Sequence, residues 1–268
     1  VCSGQTLSLT ASTISGATYN WTGPNAFTST LQNPTIGSVS TAASVTYSVT
    51  ATVAGCPASS AGTTTVTINQ SPAAPTAGSN SPICAGTDLS LTASTTGSPT
   101  YNWNGPNGFT STSQNPVIIA AAPAATGTYS VTANEFGCTG PAGTVSVTVN
   151  PIPTAPIVGS NSPICTGQDL SLTATAGGGA TYSWNGPNGF TSTSQNPVII
   201  AAGTVDAGTY SVSATENGCT GPVGTVSVTI STTPSTPVAG SNSPVCSGQT
   251  LSLTSSNAGS SYSWNGPN

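Results

Sequence analysis

The sequence predicts an all-β protein made of tandem sandwich repeats, and three observations lead to this prediction. Apolar and polar residues alternate with a period of two in segments such as Leu89–Ala93 and Val145–Val149, as they do in strands that bury one face. Long windows with the helical spacing of apolar residues are absent. The sequence also resembles itself at a period of about 81 residues, which is the mark of a repeat architecture.

The repeat is defined by aromatic residues and cysteines. A tryptophan, preceded two positions earlier by a tyrosine, recurs once per period, at Trp21, Trp103, Trp184 and Trp264. Proline-rich junctions near 70–75, 151–156 and 232–237 predict domains at 1–69, 70–150, 151–231 and 232–268. Because Val1–Thr10 is identical to Val245–Thr254, we expect truncated repeats at both ends of a longer array, with the export signal and anchor outside this segment.

Turn signals divide each repeat into short strands. In the third repeat, glycine-rich and Asn-Gly turns near 177–179, 185–189 and 217–218 separate them. The predicted strands, after an edge segment before Cys165, are Asp169–Thr175, Thr181–Trp184, Phe190–Ser194, a buried strand Val198–Ala202, Thr209–Thr215 and Thr225–Ile230. About seven short strands in 81 residues suit a β-sandwich.

These residues resemble the immunoglobulin-like, PKD-like repeats found in tandem in secreted surface proteins of Bacteroidota. The resemblance rests on the tryptophan strand, on the Leu-Ser-Leu-Thr segment before it, and on Asp206–Tyr210, which is similar to the D-x-G-x-Y segment of a tyrosine corner. The first two repeats have Ala43 and Ala125 in place of Asp206. The resemblance implies a core built on Trp21, Trp103, Trp184, Trp264, Tyr47, Tyr129 and Tyr210.

The cysteines depart from the immunoglobulin pattern. Valine occupies the position two residues after the corner tyrosine, at Val49, Val131 and Val212, so the inter-sheet disulfide over the tryptophan is missing. The spacing of 54 within each repeat favours the pairs Cys2–Cys56, Cys84–Cys138 and Cys165–Cys219, with the partner of Cys246 outside the sequence. Pairing across the junctions, Cys56–Cys84 and onward, also uses six cysteines and leaves Cys2. Regular cysteines indicate an oxidising, extracellular compartment.

The charge composition excludes several classes of function. The chain has no Lys, Arg or His and a formal net charge of -5. It therefore lacks the basic side chains for nucleic-acid binding and the histidine for a Ser-His-Asp or Cys-His pair. No apolar run reaches the roughly 20 residues of a spanning helix, so membrane insertion within this segment is not expected.

The few acidic residues give no strong site. A calcium site near Asp88 or Asp169 and a glycosidase pair of Asp206 and Glu216 are the candidates, and for both we favour a structural role. Two cysteines per repeat without histidine cannot close a zinc site. We predict no enzyme activity, no cofactor and no metal.

The functional prediction is an extracellular stalk or fibre segment that spaces an adhesive element or assembles into surface filaments. Its predicted partners are neighbouring repeats and other copies of the chain. The alternative is a multivalent adhesin module, in which the loops before Phe27, Phe109 and Phe190 contact a glycan or surface ligand. Accessory repeats of a secreted enzyme remain a third interpretation.

Overall fold

The computed structural model describes residues 1–255 and 261–266. Regular structure in these residues consists of β-strands and short 3₁₀ helices, and the chain divides into two compact units, 1–151 and 152–268. The fold is all-β and immunoglobulin-like, as the sequence predicts. In the described part of the chain, no helix has the length and apolar character needed to cross a membrane.

The first unit contains two successive sandwiches. The elements of the first are β1 (Leu7–Ser8), β2 (Ala17–Thr22), β3 (Thr28–Ser29), β4 (Thr35–Ile36), η1 (Thr41–Ala43), β5 (Thr46–Val53) and β6 (Gly62–Thr65). Those of the second are β7 (Thr76–Ser79), β8 (Ile83–Cys84), β9 (Leu89–Ser94), β10 (Thr100–Asn104), η2 (Pro106–Gly108), β11 (Thr110–Ser111), β12 (Val117–Ile118), η3 (Pro123–Ala125), β13 (Gly127–Glu135), β14 (Cys138–Thr139), β15 (Gly143–Val147) and β16 (Val149–Asn150).

The second unit repeats the same order. Its elements are β17 (Ile157–Ser160), β18 (Ile164–Cys165), β19 (Leu170–Thr175), β20 (Thr181–Asn185), η4 (Pro187–Gly189), β21 (Thr191–Ser192), β22 (Val198–Ile199), η5 (Thr204–Asp206), β23 (Gly208–Glu216), β24 (Cys219–Thr220), β25 (Gly224–Val228) and β26 (Ile230–Ser231), followed by β27 (Ala239–Ser241) and β28 (Leu253–Ser255).

The second sandwich shows the sheet topology clearly. One sheet has the order β11-β10-β13-β14 with β15 also on β13, and the facing sheet has the order β12-β9-β7. These pairs are antiparallel, whereas β8 pairs in parallel with the last strand, β16. This parallel pair places the cysteine-containing β8 beside the point where the chain leaves the sandwich.

The core lies between the two sheets and follows the period-two alternation. Leu89 and Leu91 of β9 face Tyr129 and Val131 of β13, and all four have at most 1% of their surface exposed. Trp103 is fully buried and lies opposite Val131 in the strand register. The valine that replaces the immunoglobulin cysteine is thus part of the packed apolar interior.

The corner tyrosines form the hydrogen bond of a tyrosine corner whether or not an aspartate is present. The Tyr210 hydroxyl donates to the carbonyl oxygen of Asp206 at 2.8 Å, and the Tyr129 hydroxyl donates to that of Ala125 at 2.9 Å. Tyr47 makes the same bond at 3.3 Å. Because the acceptor is a main-chain oxygen four residues earlier, alanine serves as well as aspartate.

Two predictions about burial are wrong. Trp264, predicted in a core, is 47% exposed, because the strands that cover Trp184, within 198–231, have no counterparts after Trp264 in this sequence. The segment 198–202 is not a buried strand: β22 ends at Ile199, and Val198 and Ile200 are 53% and 79% exposed. It lies at a sheet edge, where only alternate side chains face the core.

Candidate functional site

The structural feature that links sequence repeats to each other is a disulfide between the first and second sandwiches. Cys2 is bonded to Cys138, 136 residues later, with an S–S length of 2.02 Å and a Cα–Cα distance of 5.6 Å. The bond therefore connects two domains that are consecutive in the chain. We define the junction as residues 1–3, 69–75 and 136–143, which surround this bond.

Cys2 is held at the end of the first sandwich where the chain leaves it. It forms a parallel bridge with Asn69. The Ser3 N–H donates to the Asn69 carbonyl at 2.9 Å, and the Asn69 N–H donates to the Val1 carbonyl at 2.9 Å. These bonds fix Cys2 against the exit of the first repeat.

Cys138 is presented by a tight hairpin of the second sandwich. It pairs with Glu135 across the two-residue turn Phe136-Gly137, whose φ angles of 50° and 78° are those of a type I′ turn. The Asn69 side-chain amide donates to the Phe136 carbonyl at 3.2 Å, so the exit of the first sandwich also hydrogen-bonds the hairpin. Cys138 is only 1% exposed.

Two glycines let the linker between the sandwiches run against the second one. A Cβ atom on Gly140 would collide with the main-chain oxygen of Pro72, and one on Gly143 would collide with that of Pro75. The linker is therefore in direct backbone contact with the strand that follows the hairpin. Sequence reasoning did not single out these glycines, although their recurrence at Gly221 and Gly224 was a usable signal.

The observed connectivity overturns the predicted disulfides. Cys138 is bonded to Cys2 and not to Cys84, and Cys56 and Cys165 carry free, exposed thiols. The pairs Cys2–Cys56, Cys84–Cys138 and Cys165–Cys219 are therefore absent, and so is the cross-junction pair Cys56–Cys84. Cys84 and Cys219 are both disulfide-bonded, and Cys246 is free.

Strand length explains why the intradomain prediction fails. β13 has nine residues, so its ends lie about 26 Å apart. Cys138 is paired with Glu135 at one end, whereas the other end, Gly127, pairs with Val147 next to the strand pair that contains Cys84. The two cysteines of one repeat thus lie at opposite ends of a sandwich, far beyond the reach of a disulfide.

The Gly-Pro-Asn-Gly-Phe loop, the candidate ligand contact, is occupied by packing within its own domain. A Cβ on Gly105 would enter the Tyr129 ring, and Phe109 meets that ring edge-on at a centroid distance of 5.5 Å. The Asn107 side chain donates to the Ala124 carbonyl at 2.6 Å. The loop closes the tyrosine corner, and Phe27 and Phe190 make the equivalent edge contacts with their tyrosines.

Asp88 and Asp169 hold neighbouring loops in place by accepting hydrogen bonds from main-chain N–H groups. Asp88 accepts a hydrogen bond from the Ala120 N–H at 2.8 Å, and Asp169 accepts one from the Ala201 N–H at 2.9 Å. In the described ranges, no group of three or more His, Cys, Asp or Glu residues gathers as a metal site would require.

The glycosidase pair is not formed. Asp206 precedes β23 and Glu216 is its last residue, so the two lie at opposite ends of a nine-residue strand about 26 Å long, whereas such a pair needs roughly 5–9.5 Å.

Burial changes the proton affinity of the corner tyrosines. Desolvation of the buried ring raises the pKa of Tyr47, Tyr129 and Tyr210 above the ordinary value. The negative charge of Asp206 raises the pKa of Tyr210 further. In each case the neutral phenol is the form that the folded domain stabilises.

Comparisons with known proteins agree with this fold. Residues 72–151 match the family model described as "Ig-like domain CHU_C associated". No curated protein matches the chain.

Solved structures with similar folds include several multidomain proteins. The I67–I69 I-band fragment of titin is 11% identical, with 85% of this chain and 94% of that one covered and a TM-score of 0.49. The N-terminal eight Ig domains of Down Syndrome Cell Adhesion Molecule are 16% identical, with 87% and 35% covered and a TM-score of 0.48. The mouse nectin-like molecule 4 ectodomain is 11% identical, with 88% and 97% covered and a TM-score of 0.40. The segment 72–151 of this chain is thus similar to Ig-like domains of the CHU_C-associated type.

Proposed function

We propose that this chain is a segment of an extracellular stalk or fibre, in which tandem immunoglobulin-like domains at 1–69, 70–150, 151–231 and 232–268 space an adhesive element or assemble into surface filaments. The observation that carries the proposal is the Cys2–Cys138 disulfide between consecutive sandwiches. A bond that joins domains adds nothing to a single binding module, whereas it directly strengthens an array under tension.

The position of the bond determines how tension passes through the chain. Force applied at the two ends enters the first sandwich near Cys2 and crosses the S–S bond to Cys138, so it bypasses the chain of the first sandwich. The hydrophobic core of the first sandwich, which lies wholly inside this loop, is thus protected from stretching. In the chain-entropy model, a loop of this length also stabilises the folded state by about 5 kcal/mol.

The extracellular location is supported by the oxidation of four cysteines, because disulfides persist in oxidising compartments. Self-assembly is supported by the nature of the surface. With no Lys, Arg or His in the sequence, contacts between copies cannot use basic side chains. The edge strands β12 and β22 instead expose Val117 and Val198, with exposed fractions of 50% and 53%, and Ile119 and Ile200 just after these strands are 72% and 79% exposed.

Single-molecule stretching of the whole chain tests the proposal. We expect the fully reduced chain to stretch at least about 450 Å further than the oxidised chain, because the loop closed by Cys2 and Cys138 then becomes extensible. The Cys2→Ser variant should be longer than the oxidised parent under the same conditions, and Cys246→Ser, which changes a free thiol, serves as the matched control.

Equal stretched lengths in oxidised and reduced samples would contradict the proposal. Saturable binding of the chain to a defined glycan, lost when the loop around Asn107 and Gly108 is changed, would instead favour the adhesin alternative.

A further inference from the structure

The second and third sandwiches each have one closed side and one open side. In the second, the edge strand β7 contacts β15 of the facing sheet, and β16, which follows β15, pairs with β8. In the third, β17 contacts β25 in the same way. On the other side, β12 and β22 end their sheets, and within the described ranges each pairs with one strand, β9 and β19 respectively. These two edges are open.

Main-chain polar groups of β12 point out of its open edge. The Leu91 N–H donates to the carbonyl oxygen of Pro116, the residue opposite it, at 3.0 Å. Bonded and non-bonded pairs alternate along antiparallel strands, so Ile118 is the next residue bonded to β9. The N–H and C=O groups of Val117 and Ile119 therefore point away from β9. They are the groups to which an added strand would hydrogen-bond.

The residues that direct these groups outward also expose apolar side chains. Ile119 is 72% exposed, and Ile200, its counterpart after β22, is 79% exposed. The bond from the Leu172 N–H to the Pro197 carbonyl, also 3.0 Å, gives β22 the same alternation. The first repeat has Gly37 at this position. The second and third repeats thus combine an open strand edge with exposed β-branched side chains.

We propose that β12 and β22 are docking edges for β12 or β22 of a second copy of this chain, joined as antiparallel strands. For two β12 strands, Val117 of one copy pairs with Ile119 of the other, and Ile119 with Val117, around a two-fold axis at Ile118. Four β-branched side chains then lie side by side, where cross-strand pairs of this kind are stabilising. This inference deepens the proposed stalk or fibre function and rests on it.

A second copy is the occupant that the chemistry of the edge favours. The segment 117–121 contains no charged residue, so the edge itself supplies no ion pair to a charged partner. An antiparallel pair of β12 strands is complementary to itself and needs no second type of surface. One short edge buries far less than the roughly 1,200 Å² of a stable interface. Because the chain repeats its edge after 81 residues, a second copy brings two edges at the same interval, and their contacts strengthen each other.

Sedimentation velocity of the full chain over a range of concentrations tests the proposal, with the free thiols alkylated so that no new disulfide forms. The test variant carries Ile119→Lys and Ile200→Lys, because lysine on an edge strand opposes pairing. The control carries Ile157→Lys and Val223→Lys, which add the same charge beside β17 and β25 on the closed side. These two control residues are 79% and 59% exposed, so their substitution does not disturb a core.

We expect the parent and the control to form oligomers as the concentration rises, and the test variant to need an at least about tenfold higher concentration. Hydrogen exchange should slow at 117–119 and 198–200 in the oligomer, because the outward N–H groups become bonded. Thermal unfolding of each variant verifies that it is folded.

A parent that stays monomeric at every concentration would overturn the proposal, and so would equal association of the test and control variants. Association that high salt abolishes would also overturn it, because ionic contacts would then hold the copies together. None of these outcomes alters the stretching result expected from Cys2–Cys138 in single chains, so a failure here is distinguishable from a failure of the stalk function.

Discussion

The interior of the second sandwich and the junction before it are stabilised by different means. The interior is apolar and is completed within one repeat, around Trp103 and Tyr129. The junction uses a covalent bond, an amide hydrogen bond from Asn69 and two backbone contacts at glycine, and its parts come from two repeats. The comparison shows that residues with the same sequence period serve two levels of organisation: the aromatic residues build domains, and the cysteines connect them.

The largest expected effect is on the interior. Trp103→Ala removes a fully buried indole, and we expect it to destabilise the second domain by about 3–5 kcal/mol, measured by denaturant unfolding. Trp264→Ala is the matched control, because the same substitution at a residue 47% exposed should change the unfolding free energy by much less. Similar losses of unfolding free energy in both variants would mean that burial in the core does not determine how much a tryptophan contributes to stability.

The second prediction concerns the junction. Gly143→Ala places a methyl group against the Pro75 carbonyl oxygen, which is main chain and cannot rotate away. We expect a loss of roughly 1–3 kcal/mol in thermal or denaturant unfolding. Gly37→Ala, at a site with no neighbouring atom, serves as the control and should be nearly neutral. A neutral Gly143→Ala would show that the linker does not need its close contact with the second sandwich.

The elements that depend on a local pattern of residues could be predicted from the sequence alone. The alternation around Leu89–Ala93, the Asn217-Gly218 turn and the corner at Tyr210 all follow from spacing within a few residues, and the structure has them. The disulfides could not be predicted in this way. A spacing of 54 does not reveal that two cysteines lie at opposite ends of a sandwich, because this depends on the length of β13 and on the parallel pairing of β8.

Alkaline pH provides a third test, directed at the interior. Burial raises the pKa of Tyr47, Tyr129 and Tyr210, so the folded domains hold protons that the unfolded chain releases above about pH 10. Stability from these groups is complete below pH 10 and decreases as the pH rises further. Unfolding free energies measured across this range, with the free thiols blocked, should decrease as tyrosinate absorbance appears. Constant stability through the range would contradict the assigned burial.

A smaller effect is expected when only the hydroxyl of a corner tyrosine is removed and its ring is kept. Tyr129→Phe keeps the packing against Phe109 but removes the hydrogen bond to the Ala125 carbonyl. We expect a loss of about 1 kcal/mol in equilibrium unfolding. Tyr262→Phe, at a residue 40% exposed, is the control. A loss as large as that of Trp103→Ala would indicate that the bond organises the whole corner.

The smallest expected effect concerns the aspartate at the tyrosine corner of the third repeat, where the second repeat has an alanine. Asp206 accepts hydrogen bonds from the Gly203 N–H at 2.8 Å and the Asn188 side chain at 3.3 Å, and both are lost in Asp206→Ala. The bond from Tyr210 remains because its acceptor is the main-chain oxygen of residue 206, as it is at Ala125 in the second repeat. We therefore expect a loss of about 0.5–1 kcal/mol and an intact corner. The same variant should titrate Tyr210 at a lower pH than the parent, because the carboxylate that raises the pKa of Tyr210 is gone. Unfolding of the third domain by Asp206→Ala would show that the aspartate, and not the main chain, forms the corner in that repeat.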